Sequence, residues 1–237
     1  MIFGAIMAGG VGSRMKISDC PKQFLPLGDK PIIIHTLEKF LMCQRFDRVY
    51  VGVHPTWVQH THELVKKHLS QFEEKIRLVP GGNDRNETLM NVIDAIEGDN
   101  GVNEENIIVT HDAVRPFVTA RIINDNIDAA LEFDACDTVC EAVDTIVESK
   151  NADVITSIPE RKYMYQGQTP QSFKISLLKR LYGDLSDDER AILTDACKIC
   201  VMRDQPVKLV RGEVSNLKIT TVNDYKIAKI MATGSFE

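Results

Sequence analysis

Short apolar runs rich in β-branched residues alternate along this chain with segments of helical period, and that alternation narrows the folds open to it. Residues 3–7, 48–53, 76–79, 107–110 and 138–142 read as strands. Between them, residues 31–42, 57–69, 86–96 and 120–131 read as helices. The first of these carries Pro31 in its opening turn, where no backbone donor is lost. Such a rhythm predicts an α/β fold: a Rossmann-like, mostly parallel sheet with helices on both faces. Ligands of such sheets bind beyond the carboxyl ends of the strands. The loops after the first, third and fourth strands therefore carry the functional expectation.

The rhythm breaks between residues 144 and 165. Two β-prone runs, 145–148 and 154–158, flank Ser149-Lys150-Asn151-Ala152-Asp153 and predict a protruding β-hairpin arm over about 144–165. Helices are expected near 175–182 and 187–196, a strand near 207–210 and a last helix over about 222–231. No repeat or low-complexity stretch interrupts the 237 residues, which read as a single domain with an arm.

Lys and Arg number 28 against 34 Asp and Glu, a net charge of −6, which argues against a general nucleic-acid binder. An enzyme for small anions remains open, provided its cations converge locally. No apolar run approaches the roughly 18 residues of a membrane span. The opening Met1-Ile2-Phe3-Gly4 lacks a basic leader, so a cytoplasmic protein is expected. The six cysteines then read as free thiols. Cys197-Lys198-Ile199-Cys200 has zinc or redox spacing but neither a second pair nor a nearby His.

The loop after the first strand runs Ala8-Gly9-Gly10-Val11-Gly12-Ser13-Arg14, with Pro21-Lys22 close behind. Glycines directly after a strand let the backbone turn tightly and point N–H groups at an anion. With Arg14 and Lys22 the loop suits a polyphosphate. It lacks the lysine ending of the common ATPase loop and the third glycine of the dinucleotide fingerprint. Gly81-Gly82-Asn83-Asp84-Arg85-Asn86-Glu87-Thr88 follows the third strand, with Asn83 or Asp84 able to cap the next helix. His111-Asp112-Ala113-Val114-Arg115-Pro116 follows the fourth. Asp112 alone is open to a turn role or to a metal role.

In order, these stretches resemble the polyol-phosphate cytidylyltransferases over essentially the whole chain. So do Asp144-Thr145, Gln168-Thr169-Pro170-Gln171-Ser172-Phe173, Thr194-Asp195 and Asn216-Leu217-Lys218-Ile219-Thr220. Tyr165-Gln166-Gly167-Gln168 and Ala196 after Thr194-Asp195 look more like the ribitol branch than the methylerythritol branch. The resemblance implies CTP and a polyol phosphate as substrates, Mg²⁺ as cofactor, and a homodimer formed through the arm, with no nucleic-acid or membrane partner. It implies that Arg14, Lys22, Arg161 and Lys218 are catalytic, with Arg161 reaching the partner's site. Met7, Ala8, Gly9, Gly10, Gly12 and Ser13 would hold the nucleotide phosphates. Gly81, Gly82, Asn83, Asp84, Arg85, Asn86, Glu87 and Thr88 would form the cytosine and ribose pocket, with the Ala113 backbone meeting the ribose. Asp112 would hold the metal. Arg115, Asp144, Thr145, Thr169 and Thr194 would bind the acceptor. Thr169, forced extended by Pro170, would aim its hydroxyl into the site. Lys218 would project from an extended strand.

Overall fold

The computed structural model describes residues 1–10, 20–193 and 195–234. In chain order its elements are β1 (Ile2–Ala8), β2 (Pro26–Leu27), β3 (Lys30–Pro31), α1 (Ile32–Leu41), β4 (Arg48–Val53), α2 (Val58–His68), β5 (Ile76–Pro80), α3 (Arg85–Asn100), β6 (Ile107–Asp112), α4 (Ala120–Glu132), β7 (Ala135–Glu141), β8 (Tyr165–Lys174), α5 (Ile175–Gly183), α6 (Asp187–Ala191), α7 (Ala196–Val201), β9 (Lys208–Arg211) and α8 (Val222–Thr233).

The main sheet has the order β5-β4-β1-β6-β8-β7-β9. From β5 to β6 every pairing is parallel, as is β7 with β9, while β8 runs antiparallel to both its neighbours. Alternation along each strand sends side chains to two separate cores. Ile6, Val49, Val51, Val53, Ile107 and Val109 pack on one face with Ile122, Ile123 and Ile127 of α4. Phe3, Ala5, Tyr50 and Ile108 pack on the other with Leu89, Val92 and Ile93 of α3 and Leu178 of α5. A third cluster, Leu27, Ile32, Val114, Ile219, Tyr225 and Ala228, fastens α8 to the small β2–β3 hairpin. The Tyr225 hydroxyl donates to the Pro26 carbonyl and closes that contact. Both β1 and β6 end at the point where the chain switches direction across the sheet, the crevice in which α/β proteins bind ligands.

Four expectations need correction. Residues 165–174 form β8, a central strand where only an extended Thr169 was expected. Its Gln-Thr-Pro-Gln centre is polar, and a proline normally excludes a central strand. Here Pro170 falls where the β7–β8 ladder skips between Asp137 and Val139, so its missing N–H breaks no regular pairing. The arm forms no two-stranded hairpin but one bridge, Glu148 with Ser157. A lone pair of short strands with solvent on both sides gains too little to zip up further. The expected helix over 187–196 divides into α6 and α7, because Asp195 turns extended and caps α7 by accepting the Lys198 N–H at 2.9 Å. Lys218 lies in irregular chain after β9.

Candidate active site

Asp112, the last residue of β6, is 6% exposed and faces three cations. Lys218 Nζ stands 2.9 Å from Oδ2, Arg115 Nε 3.4 Å from Oδ2 and Arg85 Nε 3.5 Å from Oδ1. Burial alone would raise this carboxyl, but the Arg85, Lys218 and Arg115 charges outweigh it and hold the group far below the usual carboxylate range. Three positive groups against one negative leave the cluster an attractor for anions. Each arrives on a different segment: Arg85 opens α3, Arg115 follows β6 and Lys218 precedes α8.

A second layer fixes this arrangement. Thr169 Oγ1 accepts the Asp112 N–H at 3.1 Å and stands 2.9 Å from His111 Nδ1. His111 Nε2 lies 3.1 Å from the Arg115 carbonyl. One assignment satisfies all three contacts: Thr169 donates to Nδ1, and Nε2–H donates to the carbonyl. Burial holds His111 neutral by lowering it to about 4. Arg115 Nη1 donates to the Asn216 carbonyl at 2.7 Å, and Asn216 Nδ2 donates back to the Thr169 carbonyl at 2.8 Å. The Ile219 N–H donates to the Val114 carbonyl at 2.9 Å, which brings Lys218 to the strand end without a strand.

These bonds bear on three of the expected site residues. The Thr169 hydroxyl bonds inside the protein, between the Asp112 N–H and His111, and so positions Asp112. Ala113 gives its N–H to the Met7 carbonyl and receives the Thr36 hydroxyl on its own carbonyl, which keeps one lone pair. Arg115 is buried behind Asp112 and holds that carboxylate.

Beside the cluster opens a cleft of about 510 Å³, lined by Met7, Gly9 and Gly10 on one side and Gly82, Asp84 and Arg85 on the other. Asp84 accepts the Glu87 N–H at 2.8 Å and caps α3, while Glu87 Oε2 accepts the Asn83 N–H and Nδ2 at 2.8 and 2.9 Å. Thr88 is packed so tightly that a Cβ at Gly9 or Gly81 would come within 3.0 or 2.9 Å of its hydroxyl oxygen. Glycine at those positions lets the two loops close on α3. Thr88 also accepts the Gly82 N–H at 3.0 Å, which leaves Gly82 its carbonyl for reading a ligand's donor. Asn86, in the first turn of α3, is buried. Ala8 gives its carbonyl to the Gln23 side chain at 2.9 Å, and Gln23 also reaches the Gly10 carbonyl at 3.0 Å. Gln23 thereby ties the glycine loop to the Lys22 segment, and Lys22 lies close enough to Asp224 of α8 to help lower its carboxyl. Gly12, Ser13, Arg14 and Thr194 lie outside the described residues.

Asp144, Thr145 and Arg161 are not in this gathering. They are exposed on the arm, where Arg161 Nη1 donates to the Val143 carbonyl at 3.0 Å. Sequence reasoning had no role for Gln23 or Asn216, although Gln23 directly follows Lys22 and Asn216 opens the stretch that holds Lys218. Their amides bond backbone carbonyls of distant segments, and nothing local announces such a partner.

The pattern of the IspD family, 2-C-methyl-D-erythritol 4-phosphate cytidylyltransferase, matches residues 2–233. The chain is 55% identical over 231 residues to the ribitol-5-phosphate cytidylyltransferases of Streptococcus pneumoniae serotype 2 and serotype 4, covering 98% of each chain. In structure it resembles the 4-diphosphocytidyl-2C-methyl-D-erythritol synthase of Anaerococcus prevotii, with a TM-score of 0.79, 24% identity and 98% of both chains covered. The 2-C-methyl-D-erythritol 4-phosphate cytidylyltransferase of Thermus thermophilus gives a TM-score of 0.75 at 22% identity, over 98% of this chain and 100% of that one. At that identity the two structures speak to the fold, and they agree with the sheet described above.

Proposed function

The chain belongs to the IspD cytidylyltransferase family, and from that membership we propose that it transfers the cytidylyl group of CTP to D-ribitol 5-phosphate, giving CDP-ribitol and pyrophosphate. The 55% identity to ribitol-5-phosphate cytidylyltransferases over 98% of the chain carries the choice of acceptor.

The chemistry asks for charge and position. A phosphate monoester has a second pKa of about 6, so the attacking oxygen is already anionic near neutrality. It bonds to the α-phosphorus of CTP while the bond to the bridging oxygen breaks, and that oxygen leaves with pyrophosphate. No side chain has to remove a proton. The barrier lies in bringing anions together and in the charge at phosphorus, which preorganised cations offset. In this reading the loop from Met7 to Gly10, with Arg14 and Lys22, receives the triphosphate. The segment from Gly81 to Thr88 receives cytosine and ribose. Lys218 meets the attacking phosphate from its seat on Asp112, and Arg115 keeps Asp112 aimed.

Asp112 suits Mg²⁺, which takes oxygen donors and needs only one or two carboxylates when phosphates complete its shell. Its Oδ1 is held by Arg85 only loosely, at 3.5 Å, and keeps a lone pair for a metal. The ion, when bound, supplies neutralising charge to the phosphates.

We read the chain as one nucleotidyltransferase unit, acting in the cytoplasm, whose arm docks on a second copy. Val143, Val147, Val154, Ile155, Ile158 and Tyr163 all stand exposed along the arm, an apolar surface that a partner subunit would cover. Asp144, Thr145 and Arg161 would then act across that interface.

Pyrophosphate release with CTP and ribitol 5-phosphate tests the reaction. Turnover with methylerythritol 4-phosphate as efficient as with ribitol 5-phosphate overturns the acceptor. Light scattering of the purified protein checks the dimer, and a monomer mass removes the arm from the site.

A further inference from the structure

Six buried side-chain polar atoms find no hydrogen-bond partner among the described residues, and three of them, Arg85 Nη1, Asp137 Oδ1 and Gln171 Oε1, belong to residues on one face of the sheet. They are neighbours. Thr110 of β6, Gln171 of β8 and Asp137 of β7 lie opposite one another in a single row across the sheet. Paired residues share a face, and so do residues two apart, which places this row on the face of Asp112, one step nearer the middle of the sheet. The Asp137 carboxylate leans back toward the cleft end, since a Cβ at exposed Gly167 would stand 3.7 Å from its Oδ2. Arg85 acts on both carboxylates, as its charge lowers Asp112 and Asp137 alike.

Unpaired buried polar groups are few in native proteins, and a cluster of them that meets the cleft through Arg85 points to a ligand that completes them. The chemistry of the missing partner can be read from what is left over. Two acceptors on Asp137 and Gln171 want O–H or N–H donors, and one guanidinium N–H wants an acceptor. A phosphate offers only acceptors and would meet the Asp137 charge. A chain of hydroxyls offers both, at neighbouring carbons. Resting on the acceptor class proposed above, we propose that Asp137 and Gln171 bind hydroxyls of the polyol chain while Lys218 holds its phosphate, with Arg85 reaching from the nucleotide pocket to the nearest hydroxyl oxygen, and that Asp137 and Gln171 decide which polyol phosphate is accepted. Burial pushes the Asp137 carboxyl up to about 7, against the Gln171 amide and helped by Asp195. A carboxyl that keeps its proton part of the time can also donate to a hydroxyl oxygen. A site built on such bonds rejects acceptors that lack the matching hydroxyl more strongly than an apolar site would.

The test uses the full-length enzyme, with kcat and KM measured separately for each substrate by pyrophosphate release. Wild type is assayed first with ribitol 5-phosphate, glycerol 3-phosphate and methylerythritol 4-phosphate. This alone judges the acceptor assignment, and the best acceptor then serves for the variants. Asp137→Ala and Gln171→Ala are each expected to raise the acceptor KM at least tenfold, leave the CTP KM within twofold, and shrink the preference over glycerol 3-phosphate at least fivefold. Asp137→Asn keeps shape and folding while replacing one acceptor by a donor, so it should reproduce the selective rise. An unchanged acceptor KM in folded Asp137→Asn, or a rise in the CTP KM instead, overturns the proposal. A parallel fall in kcat with all acceptors and no change in their ranking does the same, since it marks a merely structural role.

Discussion

Asp112 and Asp137 lie on one face of the same sheet, one row apart, and the protein treats them in opposite ways. Asp112 is surrounded by Lys218, Arg115 and Arg85 and is held ionised far below the usual range. Asp137 is half-hidden without a direct cation and is pushed up to about 7. The same side chain therefore becomes a fixed charge at the strand end and a proton-holding hydrogen-bonder one step inward. Partners outweigh burial in the first case, and burial outweighs partners in the second. The difference divides the crevice into a region for phosphate and a region for neutral polar groups.

The comparison breaks hardest at Asp112. Asp112→Asn removes the charge on which three cations converge, and kcat/KM should fall by about 10²–10⁴. Urea unfolding should also register a loss of about 3–5 kcal/mol, because Arg115 is left buried and uncompensated. Lys218→Ala leaves Asp112 with two partners. Its expected effect is a drop of roughly 10²–10³ in kcat with a small change in stability, since this lysine is 40% exposed. A kcat within twofold of wild type would remove Lys218 from the chemistry.

Thr169→Val is a milder probe of the layer behind Asp112. It strands the Asp112 N–H and His111 Nδ1, and should destabilise the fold by about 1–3 kcal/mol. Its kcat should fall more than its CTP KM rises, because Asp112 loses its aim.

An effect of similar size on stability alone concerns pH. Asp137 has an ordinary value of 3.8 and a folded value of about 7. The folded chain thus holds a proton there that the unfolded chain has released. Its contribution is fully present below pH 4 and is lost as pH rises through 7. His111 works the other way, with a folded value of about 4 against an ordinary 6.5. Its contribution is present above pH 6.5 and is lost as pH falls through 4. The two oppose each other across the window they share. Asp137→Asn should therefore be more stable than wild type at pH 8, on the order of 1–3 kcal/mol. It should also expose a steeper gain in stability between pH 4 and pH 6.5. Unfolding midpoints at pH 5, 6.5 and 8 check both, and equal midpoints for the two proteins at pH 8 would deny the burial of that charge.

Elements with strong local patterning were legible from sequence. β4 ran over the expected residues 48–53, and β1, β5 and β6 lay within two residues of expectation. The runs of β1, β4 and β6 are buried on both faces, while β5, at the sheet edge, buries only Val79. β8 was not legible, because Gln168-Thr169-Pro170-Gln171 has no apolar alternation and its slot exists only between β6 and β7. The site divides the same way. Asp112 and Arg85 stood in charged loops after strands, whereas Lys218 was reached only through the resemblance and was expected on a strand. That the Thr169 hydroxyl meets His111 and the Asp112 N–H could not be read from its own stretch of chain. Asp137 sat unremarked in Ala135-Cys136-Asp137-Thr138, where no neighbour in sequence hints at Gln171 or Arg85.

By itself the sequence determined the alternating architecture, the glycine turns and the set of cations, because period, backbone freedom and charge are carried by each residue locally. Only the tertiary structure decided which carboxylate stays ionised, which hydroxyl bonds inside the protein and which polar atoms are left wanting a partner. Those outcomes depend on the dielectric and the neighbours each group meets after distant strands pair, and no stretch of chain contains that information on its own.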